Sequence, residues 1–154
     1  MENKPAFITI AQSMQASFAQ GGVKVDLLPA AGSQVYARVR AKQHQAAIRL
    51  WIPDYFDAHS NASAFAWNDG KSSTVAGLNG WKIPELNKAT LAAVAEPDPA
   101  KRLDLYKKMQ EQLQQNSPYV FVDQGKTQIV VRDNVKGYQQ GLNADMVWYD
   151  RVTK

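Results

Sequence analysis

The chain reads as an α/β protein, a mixed sheet flanked by helices. Two kinds of periodicity predict it. Apolar residues recur at helical spacing over 6–20 and 98–115, while shorter stretches between and after them alternate or run apolar in the manner of strands. The first fifty residues order these as helix–strand–helix–strand. A strand–helix–strand unit implies a parallel pair with a right-handed crossover.

In order along the chain, Ile10, Met14 and Phe18 are spaced by four, with Phe7 and Ala11 beside them, which predicts an amphipathic helix over 6–20. Gly21 and Gly22 end it as a helix C-cap. No phosphate-loop pattern includes them, since G-x-G-x-x-G and G-x-x-x-x-G-K are both missing from the sequence. Over 23–28, Val23, Val25 and Leu27 alternate with Lys24 and Asp26, a strand closed by Pro29 and Gly32. Ser33 is placed to cap a short helix to about residue 42, with Val35 and Val39 inward. The run 46–52 is mostly apolar, as a strand covered on both faces would be, although Arg49 interrupts it.

Residues 53–84 are rich in Asn, Asp, Gly and Ser around the isolated aromatics Phe65, Trp67 and Trp81, and read as a long irregular loop of the kind that carries function. Pro84 opens a helix to about residue 95. Asp98 as N-cap and Pro99 open another to about 115, with Leu103, Tyr106, Met109 or Gln110, and Leu113 as its apolar stripe. Asn116-Ser117-Pro118 stops it. The stretches 119–122 and 127–132 read as strands joined by a hairpin turn at Asp123-Gln124-Gly125-Lys126, and 146–149 as a last strand.

At 154 residues the chain is one domain by length, with 45% hydrophobic and 21% charged residues, ordinary globular values. No apolar run is long enough to span a membrane, and the polar start Met1-Glu2-Asn3-Lys4-Pro5 shows no secretory signal. There is no cysteine, which excludes disulfides and thiol chemistry. The net charge is +4, but Lys101-Arg102 and Lys107-Lys108 share a helical stretch with Asp104 and Glu111, so they read as a solvated face and no nucleic-acid partner is expected.

Chemistry concentrates in Leu50-Trp51-Ile52-Pro53-Asp54-Tyr55-Phe56-Asp57-Ala58-His59, which packs two carboxylates, three aromatics and an imidazole behind an apolar run. Acids and aromatics at a strand end suit a cationic, partly apolar small molecule. Asp54 and Asp57 are either a pair of pocket acids, one of them salt-bridged to a ligand ammonium, or two loop acids capping turns beside Pro53. Trp51 precedes them and is placed to pack on an apolar group or a cation. His59 with Asp57 is too few ligands for a metal, and His44, the only other histidine, lies beyond a strand. Ser60, His59 and Asp57 are too close in sequence to line up as a catalytic triad, and no G-x-S-x-G turn is present. No catalytic set, metal or cofactor is therefore expected.

Four blocks in order resemble the C-terminal portion of the family 5 extracellular solute-binding proteins of ABC importers, the class serving dipeptides, oligopeptides, and sometimes nickel or other small solutes. The first runs from Ile10-Ala11-Gln12-Ser13-Met14-Gln15-Ala16 to Gly21-Gly22-Val23-Lys24-Val25, like the family's helix leading into a G-[IV]-K-[VA] strand. The second is Trp51-Ile52-Pro53-Asp54-Tyr55-Phe56-Asp57, similar to W-x-x-D-Y-x-D-P. The third, Asp98-Pro99-Ala100-Lys101-Arg102 through Leu105-Tyr106, resembles D-P-A-K-R-x-x-L-Y. The fourth runs from Ser117-Pro118-Tyr119-Val120 to Asn134-Val135-Lys136-Gly137-Tyr138, like P-x-[IV] followed by V-K-G-[FY]. Together they span about residues 8–140.

The resemblance implies an incomplete C-terminal lobe of a type II periplasmic-binding-protein-like fold. Residues 1–123 would be the partial ligand-binding lobe, and 124–154 a crossover and tail that pack on a missing N-terminal lobe. It implies a non-enzymatic, periplasmic substrate-binding component that captures peptides or similar small cationic or zwitterionic solutes and delivers them to ABC permease subunits. The ligand-binding residues it implies are Trp51, Asp54, Tyr55 and Asp57. Asp54 would hold the ligand's α-ammonium and Asp57 would support it, because Ala58 stands where the family has proline. With half a pocket, ligand affinity is expected to be weak or absent. Ile129, Val130, Val131, Val147 and Trp148 would be left exposed, which makes a self-associating module, a homodimer through the C-terminal strands, the alternative function.

Overall fold

In the computed structural model, residues 1–126, 128–141 and 146–154 are described. The helices are α1 (Pro5–Gln20), α2 (Gly32–Arg40), α3 (Ala58–Phe65), α4 (Val75–Leu78), α5 (Pro84–Ala95) and α6 (Pro99–Asn116), followed by a 3-10 turn, Tyr149–Arg151.

The local chemistry explains the helix starts. Proline sits in the first turn of α1, α5 and α6, where a missing N–H costs nothing. Asp98 caps α6 by accepting from the Ala100 and Lys101 amides at 2.9 and 3.0 Å. Gly21 is the C-cap of α1 and Gly22 follows at φ +78°, the left-handed step the sequence pattern implies. The helix that Ser33 was expected to cap begins two residues earlier, at Gly32, with Ala31 as N-cap and no side-chain bond.

The expected mixed sheet does not form. Among the described residues, β pairing is confined to isolated bridges: Glu2 with Ala30 in parallel, and Lys136 with Thr153 and Gln140 with Val147 antiparallel. The chain is helical, and the α/β class with its sheet-bearing, type II periplasmic-binding-protein-like lobe is overturned. The physical reason is non-local. Alternation shows only that a segment suits a pleated surface; a strand also needs a partner beside it for its N–H and C=O groups. The stretches 23–28, 46–52 and 119–122 form no regular element, and no ladder joins them. Val25 instead gives its carbonyl to the Gln15 amide at 2.6 Å. Thr127, the first residue of one expected strand, lies outside the described residues, and 128–132 joins no ladder. Among the described residues no backbone pairing crosses 123–126, so the expected hairpin is not formed there. The expected last strand is reduced to Val147 in its single bridge, followed by the 3-10 turn. Residues 142–145 of the expected tail also lie outside the described residues.

The segment 53–84 is more ordered than its composition suggests, because it contains α3 and α4. Between them Asn68 is buried and fully used. Its side-chain amide donates to the Trp81 carbonyl at 2.5 Å, its side-chain oxygen accepts from Gly70 N–H, and its backbone is clasped from both sides by the Asn87 amide. A buried amide with its bonds satisfied specifies one arrangement of the loop.

The core lies where α3, α5 and α6 meet. Leu86, Ala93, Tyr106, Met109 and Leu113 are buried there with Ala62 and Ala66. The small residues on and after α3 let its backbone approach α5 and α6. Burial of each large side chain contributes about 1.5–3 kcal/mol. The α6 stripe is Tyr106, Met109 and Leu113, whereas Leu103 is exposed. Outside this core, the first residues are tied to 28–30: Asn3 N–H donates to Ala30 O and Ala30 N–H to Met1 O. Among the described residues, no helix is long and apolar enough to cross a membrane.

Candidate functional site

A cleft of about 320 Å³ opens beside the start of α3. Its lining comes from three places. The loop before α3 supplies Trp51, Asp54 and Tyr55; α3 supplies Ser60, Ser63 and Ala64; the turn before α4 supplies Ser73 and Thr74. The volume is at the small end of the range for bound metabolites.

Trp51 is held in place from two sides. Its indole N–H donates to Asn61 Oδ1 on α3 at 3.0 Å, and its ring meets Phe65 edge-on, with centroids 5.6 Å apart. Phe65 in turn meets Tyr119 and Phe121 at 5.4 and 5.6 Å, and Tyr119 meets Trp81. Edge-to-face contacts of this kind are worth about 0.5–1.5 kcal/mol each beyond area burial. They fix one wall of the cleft through the core. Burial pushes the Tyr119 phenol up from its ordinary pKa.

The two acids, three residues apart, have different surroundings. Asp54 is exposed, lines the cleft, and has no ion pair among the described residues. Asp57 is half-buried and committed. Its carboxylate caps α3 by accepting from the His59 amide at 2.7 Å, and it takes both arms of the Arg102 guanidinium, at 2.6 and 3.0 Å. The bidentate Arg102 and the His59 amide hold the Asp57 carboxyl below the usual carboxylate range. Arg102 also donates to Ala93 O at 3.2 Å and to the Tyr106 hydroxyl at 3.1 Å. One guanidinium thus joins the start of α3, the end of α5 and the first turns of α6.

The turn carrying Ser73 and Thr74 is built by Asp69, whose carboxylate accepts from the Lys71 and Ser72 amides at 2.9 and 2.7 Å. Those amides lower its pKa to about 2. Thr74 Oγ1 then accepts from Gly77 N–H as the cap of α4 and donates to Trp67 O. A Cβ at Gly77 would strike the Ser72 carbonyl, so only glycine fits there.

Of the sequence candidates, Trp51, Asp54 and Tyr55 are brought together in the cleft, and Asp57 sits next to them with its charge compensated. The histidines are elsewhere. His59 gives its backbone amide to Asp57, and His44 Nε2 lies 3.3 Å from Asn79 Oδ1. Among the described residues, no group of three or more His, Cys, Asp or Glu is placed to hold a metal. Sequence reasoning missed the hydroxyl-bearing side, Ser60, Ser63, Ser73 and Thr74, because α3 was read as loop. It also placed Arg102 on a solvated face. The available signal was its position four residues before Tyr106, on the side of α6 that turns inward.

No family model matches the chain. A curated relative, the probable D,D-dipeptide-binding periplasmic protein DdpA of Escherichia coli (strain K12), is 27% identical to it over 141 residues. That match covers 89% of this chain and 26% of the relative, so the chain spans about a quarter of the relative's length. The similarity is to a periplasmic binding protein and not to an enzyme.

Proposed function

We propose that this chain is the ligand-contacting portion of a periplasmic solute-binding protein of an ABC importer, and that its cleft receives the ammonium end of a short peptide or similar zwitterionic solute. The observation that carries the reading is Asp54, an exposed carboxylate with no ion pair among the described residues, which lines a cleft together with Trp51 and Tyr55. A ligand ammonium on Asp54 forms a charge-assisted bond worth roughly 1.5–3 kcal/mol, and the rings cover the adjoining apolar group. The distant dipeptide-binding relative supports the same class of solute. In this reading residues 1–123 carry the cleft, 124–154 pack on a further lobe that closes over the solute, and the permease subunits receive it. Affinity of this chain alone is then low, about millimolar, or −4 kcal/mol.

The test is saturation-transfer NMR with Ala-Ala in its L,L and D,D forms and with the N-acetyl derivative of each. Transfer to a free-amine dipeptide, and none to its acetylated form, supports the reading. Equal transfer to both forms removes the ammonium from it.

A second reading rests on a separate observation. Val120, Phe121 and Val130 are 76%, 61% and 97% exposed on chain without regular structure, and they join no ladder among the described residues. Such segments pair with other chains. As an interaction module, the protein would associate through 119–131. Sedimentation at rising concentration checks this: a mass that climbs toward the dimer, and stays monomeric in Phe121→Ser/Val130→Lys, supports it.

A further inference from the structure

We infer that Asp57 and Arg102 are a positioning pair that holds the cleft in shape, and that Asp54 alone meets the ligand. This rests on the functional reading above for the role of Asp54; the positioning role rests on geometry alone.

The two acids are close in sequence and share a loop, so the alternative is that both serve a ligand ammonium. Asp57 is already committed: three hydrogen bonds occupy its carboxylate and the Arg102 guanidinium balances its charge. Both carboxylate oxygens are taken by Arg102, and one of them also caps α3 through the His59 amide. Arg102 is committed too, with four of its five N–H donors on Asp57, the Ala93 carbonyl near the end of α5 and the Tyr106 hydroxyl, and its guanidinium 4.9 Å from the Tyr106 ring centre. The pair is therefore a closed unit linking three helices. Its consequence for the cleft runs through α3. That helix presents Ser60 and Ser63 to the cleft, and its Asn61 accepts the Trp51 indole N–H. If the first turn of α3 loosens, the Trp51 wall loses its support.

An aspartate that acted only as a helix cap makes a different prediction from one that acts through Arg102. Asparagine caps as well as aspartate does, but it cannot hold a guanidinium by charge. Asp57→Asn therefore separates the two roles.

The experiment is the indole N–H resonance of Trp51 in the full chain, assigned by its loss in Trp51→Phe. It is followed in Asp57→Asn, Arg102→Gln and the double variant, together with dipeptide titrations of each. The expected result is that both single variants shift or broaden the Trp51 resonance, that the double variant adds little to either, and that Asp54→Asn leaves the resonance unmoved. Dipeptide affinity, where measurable, falls tenfold or more in Asp54→Asn, and falls less in Asp57→Asn, in step with the Trp51 change. An unmoved Trp51 resonance in Asp57→Asn and Arg102→Gln overturns the positioning role. Equal loss of affinity in Asp54→Asn and Asp57→Asn, with Trp51 unmoved in both, makes Asp57 a ligand contact and also overturns it. If the wild-type chain binds no dipeptide, the functional reading fails on that result, while the Trp51 resonance still decides the positioning role.

Discussion

Asp54 and Asp57 show how far residue types alone determine chemistry. Both were legible as pocket acids, and their spacing left open whether either was merely a turn residue. The structure separates them by partner: Arg102 neutralises Asp57, and no ion pair forms at Asp54 among the described residues. That difference lies 45 residues away along the chain and could not be read locally. It has a pH signature. The folded-state pKa values of Asp57 and Asp69 are depressed, the latter to about 2, by Arg102 and by backbone amides respectively. Their stabilising effect is therefore fully present above about pH 4 and lost as pH falls through the folded-state values. An acid titration followed by circular dichroism should show stability declining between about pH 4 and pH 2. The decline should be shallower in Asp57→Asn and in Asp69→Asn. An unchanged acid limb in both variants contradicts the assignment.

Among the elements, helices were legible where the signal was local. The start of α5 followed from Pro84, and the opening of α6 from the Asp98 cap and Pro99. Replacing Asp98 with alanine should cost about 1 kcal/mol, and replacing Leu86, wholly buried between the helices, about 2–5 kcal/mol. Urea unfolding of both variants measures this, and a reversed order contradicts the placement of the core. Helix α3 was not legible because Ser, Asn and His in 58–65 look like loop, although the Asp57 cap was in view. What favours a helix there is tertiary: Ala62 and Ala66 fit against α5 and α6, and that packing outweighs weak propensity. The strands failed in the opposite way. Val23, Val25 and Leu27, or Val120 to Val122, have the residue types of strands, yet pairing is a property of two segments, and none of these finds its partner within the described residues.

For the whole molecule, the described residues form a packed helical core with a small cleft on it, and beside it long stretches without regular structure that hold apolar side chains in solvent. Ile129, Val130, Val131 and Trp148 are exposed, as the sequence reading anticipated, whereas Val147 is half-buried beside its bridge. The dipeptide-binding relative is about four times as long as the stretch that matches this chain. The central claim is that Asp54 gives the cleft its preference for an ammonium. The most direct test is to titrate the wild-type chain and Asp54→Asn side by side with a free-amine dipeptide, following amide resonances of 51–64. The account predicts a saturable, weak response in the wild type that drops at least tenfold in Asp54→Asn, with the fold unchanged. An equal response in the two proteins would contradict it.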